Sequence, residues 1–206
     1  MNQAQQLAHY IQSLPDFEIL KDPAVANDHM GAVLAEAALQ GGIRYETVVR
    51  PRVEALLAAY PGAKTTSEFQ RILMIEGAAA LLKWRPDRKI ETLVDLTRFF
   101  VAEGVETVDE LRAWLLDAAN MPRLRGIKGI GPKTADYLKS LAGISTSMVD
   151  VHIYRFLALA GVEVKGYDDA QEVIRATAVL LNTRAGSSRS IDERTLDYSI
   201  WTYMAG

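Results

Sequence analysis

At 206 residues, the chain is long enough for one compact domain or two small lobes, and its content of 49% hydrophobic and 24% charged residues is typical of a soluble globular protein. It contains no cysteine, which excludes disulfides, thiolate zinc sites, cysteine-ligated iron–sulfur clusters and a cysteine nucleophile. The sequence shows neither a signal peptide nor an apolar run near the roughly 20 residues that span a bilayer, so we expect a cytoplasmic protein.

The net charge is −3, but the basic residues are unevenly placed along the chain. Residues 81–90 hold four basic side chains against one acidic, and residues 121–140 hold five against one. Two basic patches on an acidic body can bind phosphates locally while the protein as a whole stays soluble. A solvated charged face is the other meaning of such clusters, so charge alone leaves nucleic-acid binding open.

Apolar residues recur at helical spacing along nearly the whole chain, and no segment alternates with the period of a strand. The pattern predicts an all-α protein of roughly ten helices with short connections. Asp28 and Asp87 are each placed to cap the helix that follows them. Thr107, with Glu110 three residues later, has the form of a capping box.

Proline and glycine mark the interruptions of this helical pattern. Pro51 lies inside a helical run, which predicts either a kink or a new helix with Pro51 in its first turn. Gly77 is placed to divide the helix that begins at Ser67. Residues 184–190 (RAGSSRS) have the composition of a mobile loop.

A glycine-rich turn lies within the second basic stretch, where Gly126, Gly129 and Gly131 fall within six residues. Pro132 then fits the first position of a helix, where its missing N–H costs nothing. Such a turn presents backbone amides at a helix N-terminus, which is a site for an anion such as a DNA phosphate. Phosphate contacts of this kind position a protein without reading sequence, and many glycine-rich turns are merely turns.

Three side chains near this turn have a chemical and a structural interpretation. Lys133 lies one residue into the helix that follows the turn and is either a nucleophilic amine or one more phosphate contact. Asp150 precedes the next helical run, where a carboxylate is a good N-cap, but a capping carboxylate can also stabilise positive charge on a sugar. His152 suits an orienting or structural role better than a catalytic one.

Residues 124–138 (LRGIKGIGPKTADYL) and 149–156 (VDVHIYRF) together resemble the helix-hairpin-helix and aspartate signature of the endonuclease III superfamily of DNA glycosylases. The resemblance covers the hairpin, the lysine, the aspartate and their separation, and it extends more loosely over most of the chain through the helix order. It implies that Lys133 is the lysine that forms a Schiff base and that Asp150 is the catalytic carboxylate. It also implies that residues 124–131 form the turn that clamps DNA.

The same resemblance implies further contacts with DNA. Gln40 resembles the glutamine that fills the gap left by an extruded base, and residues 83–85, which include Trp84 and Arg85, resemble the family's wedge loop. We assign the remaining DNA contacts to the hairpin and the helices on either side of Asp150: Lys128, Gly129, Gly131, Lys139 and His152.

In family members the hairpin also holds a potassium or sodium ion through backbone carbonyls, which here correspond to Arg125, Ile127 and Ile130. The chain departs from the family pattern in two ways. The absence of cysteine removes the four-cysteine cluster of many members, so we expect no iron–sulfur cluster and no other required cofactor. Lys128 stands where proline is usual, and it adds a charge that fits phosphate binding.

The resemblance implies an endonuclease III-like fold of two all-α lobes. We expect a helical-bundle lobe of residues 22–145, which ends in the helix-hairpin-helix at about residues 121–141. Residues 1–21 would join residues 146–206 in the second lobe.

The cleft between these lobes would place Lys133 and Asp150 on facing walls. The activity that the resemblance implies is base-excision repair: removal of a damaged or mispaired base from double-stranded DNA, followed by lyase cleavage (β-elimination) at the abasic site. We expect the protein to act as a monomer and to make no contact with a membrane.

Three alternatives stay open at this point. The first is a monofunctional glycosylase in which Asp150 assists a water molecule and Lys133 only binds; the second is a non-catalytic helix-hairpin-helix DNA-binding protein. The third is a helical interaction scaffold without affinity for DNA. The sequence does not reveal the lesion, and the aromatic residues that could stack on a base could equally belong to the core: Tyr45, Trp84, Tyr137 and Tyr154.

Overall fold

The computed structural model describes residues 2–20, 27–185 and 190–205. Within these ranges the chain is all-α, as predicted, and forms no β-strand. None of the described helices is both long enough and apolar enough to cross a membrane. The α-helices, labelled in chain order, are α1 (Gln3–Ser13), α2 (Met30–Leu39), α3 (Arg50–Ala59), α4 (Thr66–Glu76), α5 (Ala78–Leu81), α6 (Arg88–Ala102), α7 (Val108–Leu116), α8 (Met121–Arg125), α9 (Pro132–Leu141), α10 (Val151–Leu159), α11 (Tyr167–Ala185) and α12 (Glu193–Ala205).

The described residues form two compact units. The hairpin unit comprises residues 27–144, and the terminal unit comprises residues 2–20, 145–185 and 190–205. Each unit has a hydrophobic core of its own. The lobe boundary predicted between residues 21 and 22 lies outside the described residues.

Helix α2 is the centre of the hairpin unit and packs against α3, α4, α6 and α9. Its residues are buried throughout except Glu36, which is half-buried. Gly31 allows α4 to approach closely, because a Cβ at this position would lie 2.5 Å from the Phe69 ring. A helix that is apolar on all sides belongs in a core, where each fully buried leucine or methionine contributes about 1.5–3 kcal/mol. A lone carboxylate on such a helix therefore needs an explanation of its own.

Two of the predicted helix caps are confirmed. The Asp87 carboxylate accepts hydrogen bonds from the Lys89 and Ile90 amides at the start of α6. Thr107 and Glu110 form the predicted capping box at the start of α7. Each cap satisfies amides that have no partner within the helix and contributes about 1 kcal/mol.

The prediction that Asp28 caps α2 is wrong. His29 takes the capping position, and its Nδ1 accepts a hydrogen bond from the Ala32 amide at 3.0 Å. Because Nδ1 is an acceptor, the proton lies on Nε2, which donates to the Tyr60 carbonyl at 2.7 Å. The Asp28 carboxylate lies instead 2.6 Å from the Lys64 ammonium. A buried imidazole with two partners thus begins the helix where the sequence suggested a carboxylate.

The helix interruptions follow the proline and glycine positions. Pro51 lies in the first turn of α3, directly after a π-helical turn (Tyr45–Val49), so a new helix start is confirmed rather than a kink. Gly77 separates α4 from α5 with a φ of +76°, a conformation that favours glycine. Helix α4 begins before the predicted Ser67, because Thr65 forms a capping box with Glu68.

The terminal unit packs α1 against α11 and α10 against α12, and α11 also contacts α12. Phe156 of α10 is fully buried, and its ring centroid lies 5.4–5.9 Å from those of Tyr10, Phe17 and Tyr203. Aromatic pairs at this separation add to the stabilisation of a core, so this cluster anchors α10 in the unit. Of the predicted mobile loop, residues 186–189 lie outside the described residues.

Candidate functional site

The predicted helix-hairpin-helix consists of α8, α9 and the turn of residues 126–131 between them. The amide of Ile127 donates to the Leu124 carbonyl at 3.1 Å, and the amide of Ile130 donates to the Ile127 carbonyl at 3.0 Å. Leu124 and Ile130 are buried in the core of the hairpin unit. Leu124 and Ile130 therefore anchor the turn. Between them Arg125 and Ile127 are half-buried, while Gly126, Lys128 and Gly129 are exposed.

Gly129 is required at its position for two reasons. Its φ is +99°, and a Cβ there would lie 2.1 Å from Oγ1 of Thr92 in α6. The Thr92 hydroxyl lies 3.0 Å from the Lys128 carbonyl and 2.7 Å from the Arg88 carbonyl, both of which can accept from it. Helix α6 thus supports the turn from behind. Sequence reasoning missed Thr92, because no local motif links it to a turn 36 residues away.

The lysines of the hairpin differ in what they contact. Lys128 is exposed, and its ammonium lies 3.5 Å from a Glu91 carboxylate oxygen. Lys139 is only 21% exposed and lies 3.0 Å from the carboxylate of Asp136, whose side chain is 1% exposed. A carboxylate this deeply buried needs a close cation, so Lys139 is first of all the partner of Asp136. Of the two predicted phosphate contacts, Lys128 has the geometry for that role.

Lys133 lies in the first turn of α9, where Gly131 is the N-cap and Pro132 comes next. Gly131 has an extended backbone (φ −91°, ψ −179°) and no side chain to cap the helix, so this N-terminus has the character of an anion site. Lys133 is half-buried. Tyr137 lies one helical turn further on, and residues four apart share a helix face. Lys133 and Tyr137 therefore lie on the same face of α9.

The Tyr137 hydroxyl donates a hydrogen bond of 2.6 Å to Glu36 of α2. Burial, followed by the negative charge of Glu36, raises the pKa of the Tyr45 hydroxyl. Glu36 is thus the centre of a cluster with Tyr45 and Tyr137, which we call the Glu36 cluster. This cluster explains the lone carboxylate of α2. Sequence reasoning named both tyrosines as possible stacking residues but missed Glu36, although a single acidic residue in the apolar segment MGAVLAEAAL was a usable signal.

Gln40, the predicted gap-filling residue, is the C-cap of α2 and is half-buried. Its backbone amide donates to the Glu36 backbone carbonyl at 3.0 Å, as expected one turn along the helix. The next residues are Gly41 and Gly42, and Gly42 has a φ of +72°. Gln40 therefore lies at the junction between a rigid buried helix and a glycine pair.

The predicted wedge loop is anchored through Trp84. Its indole N–H donates to Asp87 at 2.9 Å, and the Arg52 guanidinium lies 5.1 Å from the ring centroid. The ring is half-buried against the core of the hairpin unit, and Lys83 before it has a φ of +46°. Arg85 is exposed. Within this loop Trp84 has the contacts of an anchor, whereas Arg85 has the exposure that a DNA contact requires.

Asp150 is the N-cap of α10, as one of its two predicted roles required. Its Oδ1 accepts hydrogen bonds from the His152 amide at 2.8 Å and the Ile153 amide at 3.2 Å. The carboxylate is half-buried and held in one orientation by these two bonds. The Nδ1 of His152 is buried and has no hydrogen-bond partner among the described residues, and the ring lies 6.3 Å from that of Trp201.

The backbone carbonyls predicted to hold a monovalent cation belong to Arg125, Ile127 and Ile130. Neutral carbonyl oxygens are the ligands by which proteins replace the hydration of such an ion. The Ile127 carbonyl accepts from the Ile130 amide, but a carbonyl oxygen has two lone pairs and can serve both. The donor set therefore fits the ion. In the part of the chain that the structure describes, no group of His, Cys, Asp and Glu side chains could hold a metal.

Comparison with known proteins identifies a solved structure with a similar fold. No protein-family model matches the sequence, and a search of curated proteins finds no match. Among solved structures, the chain is similar to the H. pylori 3-methyladenine DNA glycosylase MagIII bound to 1,N6-ethenoadenine. The TM-score is 0.67 at 19% sequence identity, and the match covers 100% of this chain and 96% of the other. The expected all-α fold with a helix-hairpin-helix is thereby confirmed: it is similar over the full length of the chain to the fold of this solved protein.

Proposed function

We propose that the protein is a base-excision DNA glycosylase that removes a damaged or mispaired base from duplex DNA and then nicks the strand at the abasic site. The observation that carries the proposal is one combination of features. A glycine-rich hairpin is followed by Lys133 in the first turn of its second helix and by Asp150 as the cap of the next helix. The full-length similarity in fold to a DNA glycosylase supports it.

Binding of duplex DNA would begin at the hairpin. The uncapped N-terminus of α9 and the exposed Lys128 suit one backbone phosphate, and Gly129 allows the turn to approach it closely. A cation held by the carbonyls of Arg125, Ile127 and Ile130 would add positive charge beside that phosphate. These contacts read no bases, so they fit an enzyme that must scan DNA of any sequence.

Base extrusion would follow at the end of α2. Unstacking and unpairing a base costs a few kcal/mol and costs least for a lesion, which contributes to selectivity. Gln40 would fill the gap that the extruded base leaves in the duplex. Arg85 would contact the DNA beside it, because its side chain is exposed whereas the neighbouring Trp84 is anchored to the protein.

The chemistry would be divided between Lys133 and Asp150. The Lys133 amine attacks C1′ of the sugar, and the bond from C1′ to the base breaks with its electron pair leaving on the base. Asp150 accepts a proton from the amine or stabilises positive charge on the sugar. Opening of the sugar ring gives a Schiff base; loss of a C2′ proton then expels the 3′ phosphate and nicks the strand.

The candidate lesions follow from the solved structure to which this chain is similar. The solved relative is described as a 3-methyladenine DNA glycosylase and is bound to 1,N6-ethenoadenine. We therefore extend the proposal to modified adenines as the first substrates to test. A set of labelled duplexes that differ in one base, with undamaged adenine as the control, gives the direct comparison.

A strand-cleavage assay on these duplexes, with and without alkali, tests the proposal. Alkali cleaves every abasic site, whereas an untreated sample is cleaved only where the protein itself performs the elimination. We expect cleavage of at least one lesion duplex without alkali. Cleavage that requires alkali throughout would indicate a monofunctional glycosylase. Binding without excision of any lesion would indicate a non-catalytic DNA-binding protein and would refute the proposal.

A further inference from the structure

Lys89 belongs to the first basic stretch of the sequence, but its ammonium is occupied within the hairpin unit. Its Nζ donates to the Leu39 carbonyl at 2.7 Å and to the Gly41 carbonyl at 2.7 Å. These carbonyls lie at the C-terminus of α2, where the last carbonyls lack partners in the helix and the helix dipole is negative. Hydrogen bonds from a charged donor at this distance are among the strong ones. The Lys89 side chain therefore caps the C-terminus of α2.

The two carbonyls that Lys89 binds flank Gln40. The backbone after Gln40 continues through Gly41 and Gly42, and glycine loses more conformational freedom on ordering than any other residue. Without a tether, the peptide groups around Gln40 would have to be ordered when DNA binds, and that ordering would weaken binding. The Lys89 ammonium imposes this order before DNA arrives.

The other end of Lys89 is fixed to the wedge loop. Its backbone amide donates to Asp87 Oδ1 at 2.8 Å, and Asp87 Oδ2 accepts from the Trp84 indole at 2.9 Å. Burial also lowers the pKa of the Lys89 ammonium, which is consistent with a side chain held against the protein. One residue thus joins the loop that contains Trp84 to the backbone on both sides of Gln40.

We propose that Lys89 is a positioning residue that fixes the backbone around Gln40 and so aims the Gln40 side chain at the gap left by an extruded base. The inference rests on the proposed function, because Gln40 has a gap to fill only if a base is extruded. The alternative is that Lys89 binds a DNA phosphate, as its place in a basic stretch suggests. A positioning role should affect binding only to DNA that contains a gap, whereas a phosphate contact should affect binding to any duplex and change its dependence on salt.

The experiment measures the affinity for two duplexes, one undamaged and one with a tetrahydrofuran abasic analogue at its centre. Lys89→Met keeps the apolar stem and removes the donors, and it should lower the preference for the abasic duplex about tenfold. Lys89→Arg keeps the donors and should restore the preference to within about threefold. In a Gln40→Ala background, Lys89→Met should change the preference by less than about twofold, because the group it positions is gone.

Salt dependence separates positioning from phosphate binding. Each phosphate contact contributes about 0.9 to the slope of log affinity against log salt concentration. Lys89→Met should leave this slope unchanged on undamaged duplex. Lys128→Met, the matched control, should flatten the slope by about one and lower both affinities alike.

The inference is overturned if Lys89→Met flattens the salt slope and weakens both duplexes equally, or if its effect persists in full in the Gln40→Ala background. If circular dichroism shows that Lys89→Met does not fold, Lys89→Gln takes its place, both alone and in the Gln40→Ala background. If the wild-type protein has no preference for the abasic duplex, both the inference and the proposed function fail. If the wild type prefers the abasic duplex and Lys89→Met prefers it equally, the inference about Lys89 fails and the proposed function stands.

Discussion

The hydroxyl of Tyr137 donates a 2.6 Å hydrogen bond to the carboxylate of Glu36, and this bond joins α9 to α2. Lys133 precedes Tyr137 by one turn of α9, and Gln40 follows Glu36 by one turn of α2. The proposed nucleophile and the proposed gap-filling residue are therefore each one turn away from the same hydrogen bond. Within the hairpin unit, the Glu36 cluster fixes the relative placement of these two groups.

Removal of this hydrogen bond should destabilise the protein. Tyr137→Phe keeps the ring but leaves the half-buried Glu36 carboxylate without this donor, which should lower the free energy of unfolding by about 1–3 kcal/mol. Urea denaturation measures the change. Tyr154→Phe, at a 38% exposed tyrosine of α10, is the control and should stay within about 0.5 kcal/mol of wild type. Equal effects of the two substitutions would remove the Tyr137–Glu36 bond from this account.

The hairpin turn should tolerate alanine at one glycine and not at another. Gly129→Ala places a Cβ against Thr92 at a φ of +99°, and the backbone strain alone should cost about 1–2 kcal/mol. Gly131→Ala meets nothing within 4 Å at a φ of −91°, so it should lose only the preference for glycine over alanine at an N-cap and stay more stable than Gly129→Ala. Thermal unfolding and the affinity for undamaged duplex should both fall for Gly129→Ala. A Gly129→Ala protein as stable as Gly131→Ala would contradict the support of the turn by α6.

The two roles of Asp150 can be separated by two substitutions. Asparagine caps a helix about as well as aspartate, so Asp150→Asn should keep the free energy of unfolding and lower the excision rate by about 10²-fold or more. Asp150→Ala loses both roles and should also cost about 1 kcal/mol of stability. Single-turnover excision and urea denaturation give the two readouts. An unchanged excision rate for Asp150→Asn would limit Asp150 to capping.

Alkaline pH should weaken the fold partly through Tyr45. Burial, followed by the charge of Glu36, raises the pKa of this hydroxyl in the folded state, so the folded protein retains a proton that the unfolded chain loses above about pH 10. The contribution to stability is therefore complete below that pH and is lost as the pH rises through the folded pKa. The wild type should lose stability above pH 10 more steeply than Tyr45→Phe.

A spectroscopic titration of the Tyr45 hydroxyl tests the role of Glu36. Glu36→Gln removes the second cause of the raised pKa while the burial of Tyr45 remains, so the hydroxyl should ionise at a lower pH than in the wild type. The difference in tyrosinate absorbance between each protein and its Tyr45→Phe counterpart measures this ionisation. If the Tyr45 hydroxyl ionises at the same pH in the wild type and in Glu36→Gln, the charge of Glu36 does not act on Tyr45 as described.

Local sequence patterns were sufficient for much of this fold. The all-α class followed from helical spacing, and the starts of α6 and α7 followed from Asp87 and Thr107, because a cap depends on neighbours within three residues. The hairpin was recognisable for the same reason: its glycines, proline and lysine are contiguous. The start of α2 was predicted wrongly at Asp28, because His29 is held from outside its own helix by the Tyr60 carbonyl.

The parts of the candidate site that the sequence did not reveal all depend on distant partners. Thr92 and the Lys128 carbonyl are 36 residues apart, and Glu36 and Tyr137 are 101 residues apart. Lys89 lies 48 residues from Gly41, and its place in a basic stretch left open only a phosphate contact or a solvated face. No spacing rule encodes such pairs, because tertiary packing and not the local chain brings them together.

The central claim is that Lys133 forms a covalent bond with the sugar at the lesion. Borohydride reduction in the presence of abasic-site duplex tests it, because reduction makes a Schiff base permanent and the adduct migrates as a protein–DNA species on a denaturing gel. We expect an adduct with the wild type, a weaker one with Lys128→Gln, whose DNA contact is lost, and none with Lys133→Gln. A wild-type protein that excises a base without forming an adduct, or a Lys133→Gln protein that forms the adduct in full, would contradict the account.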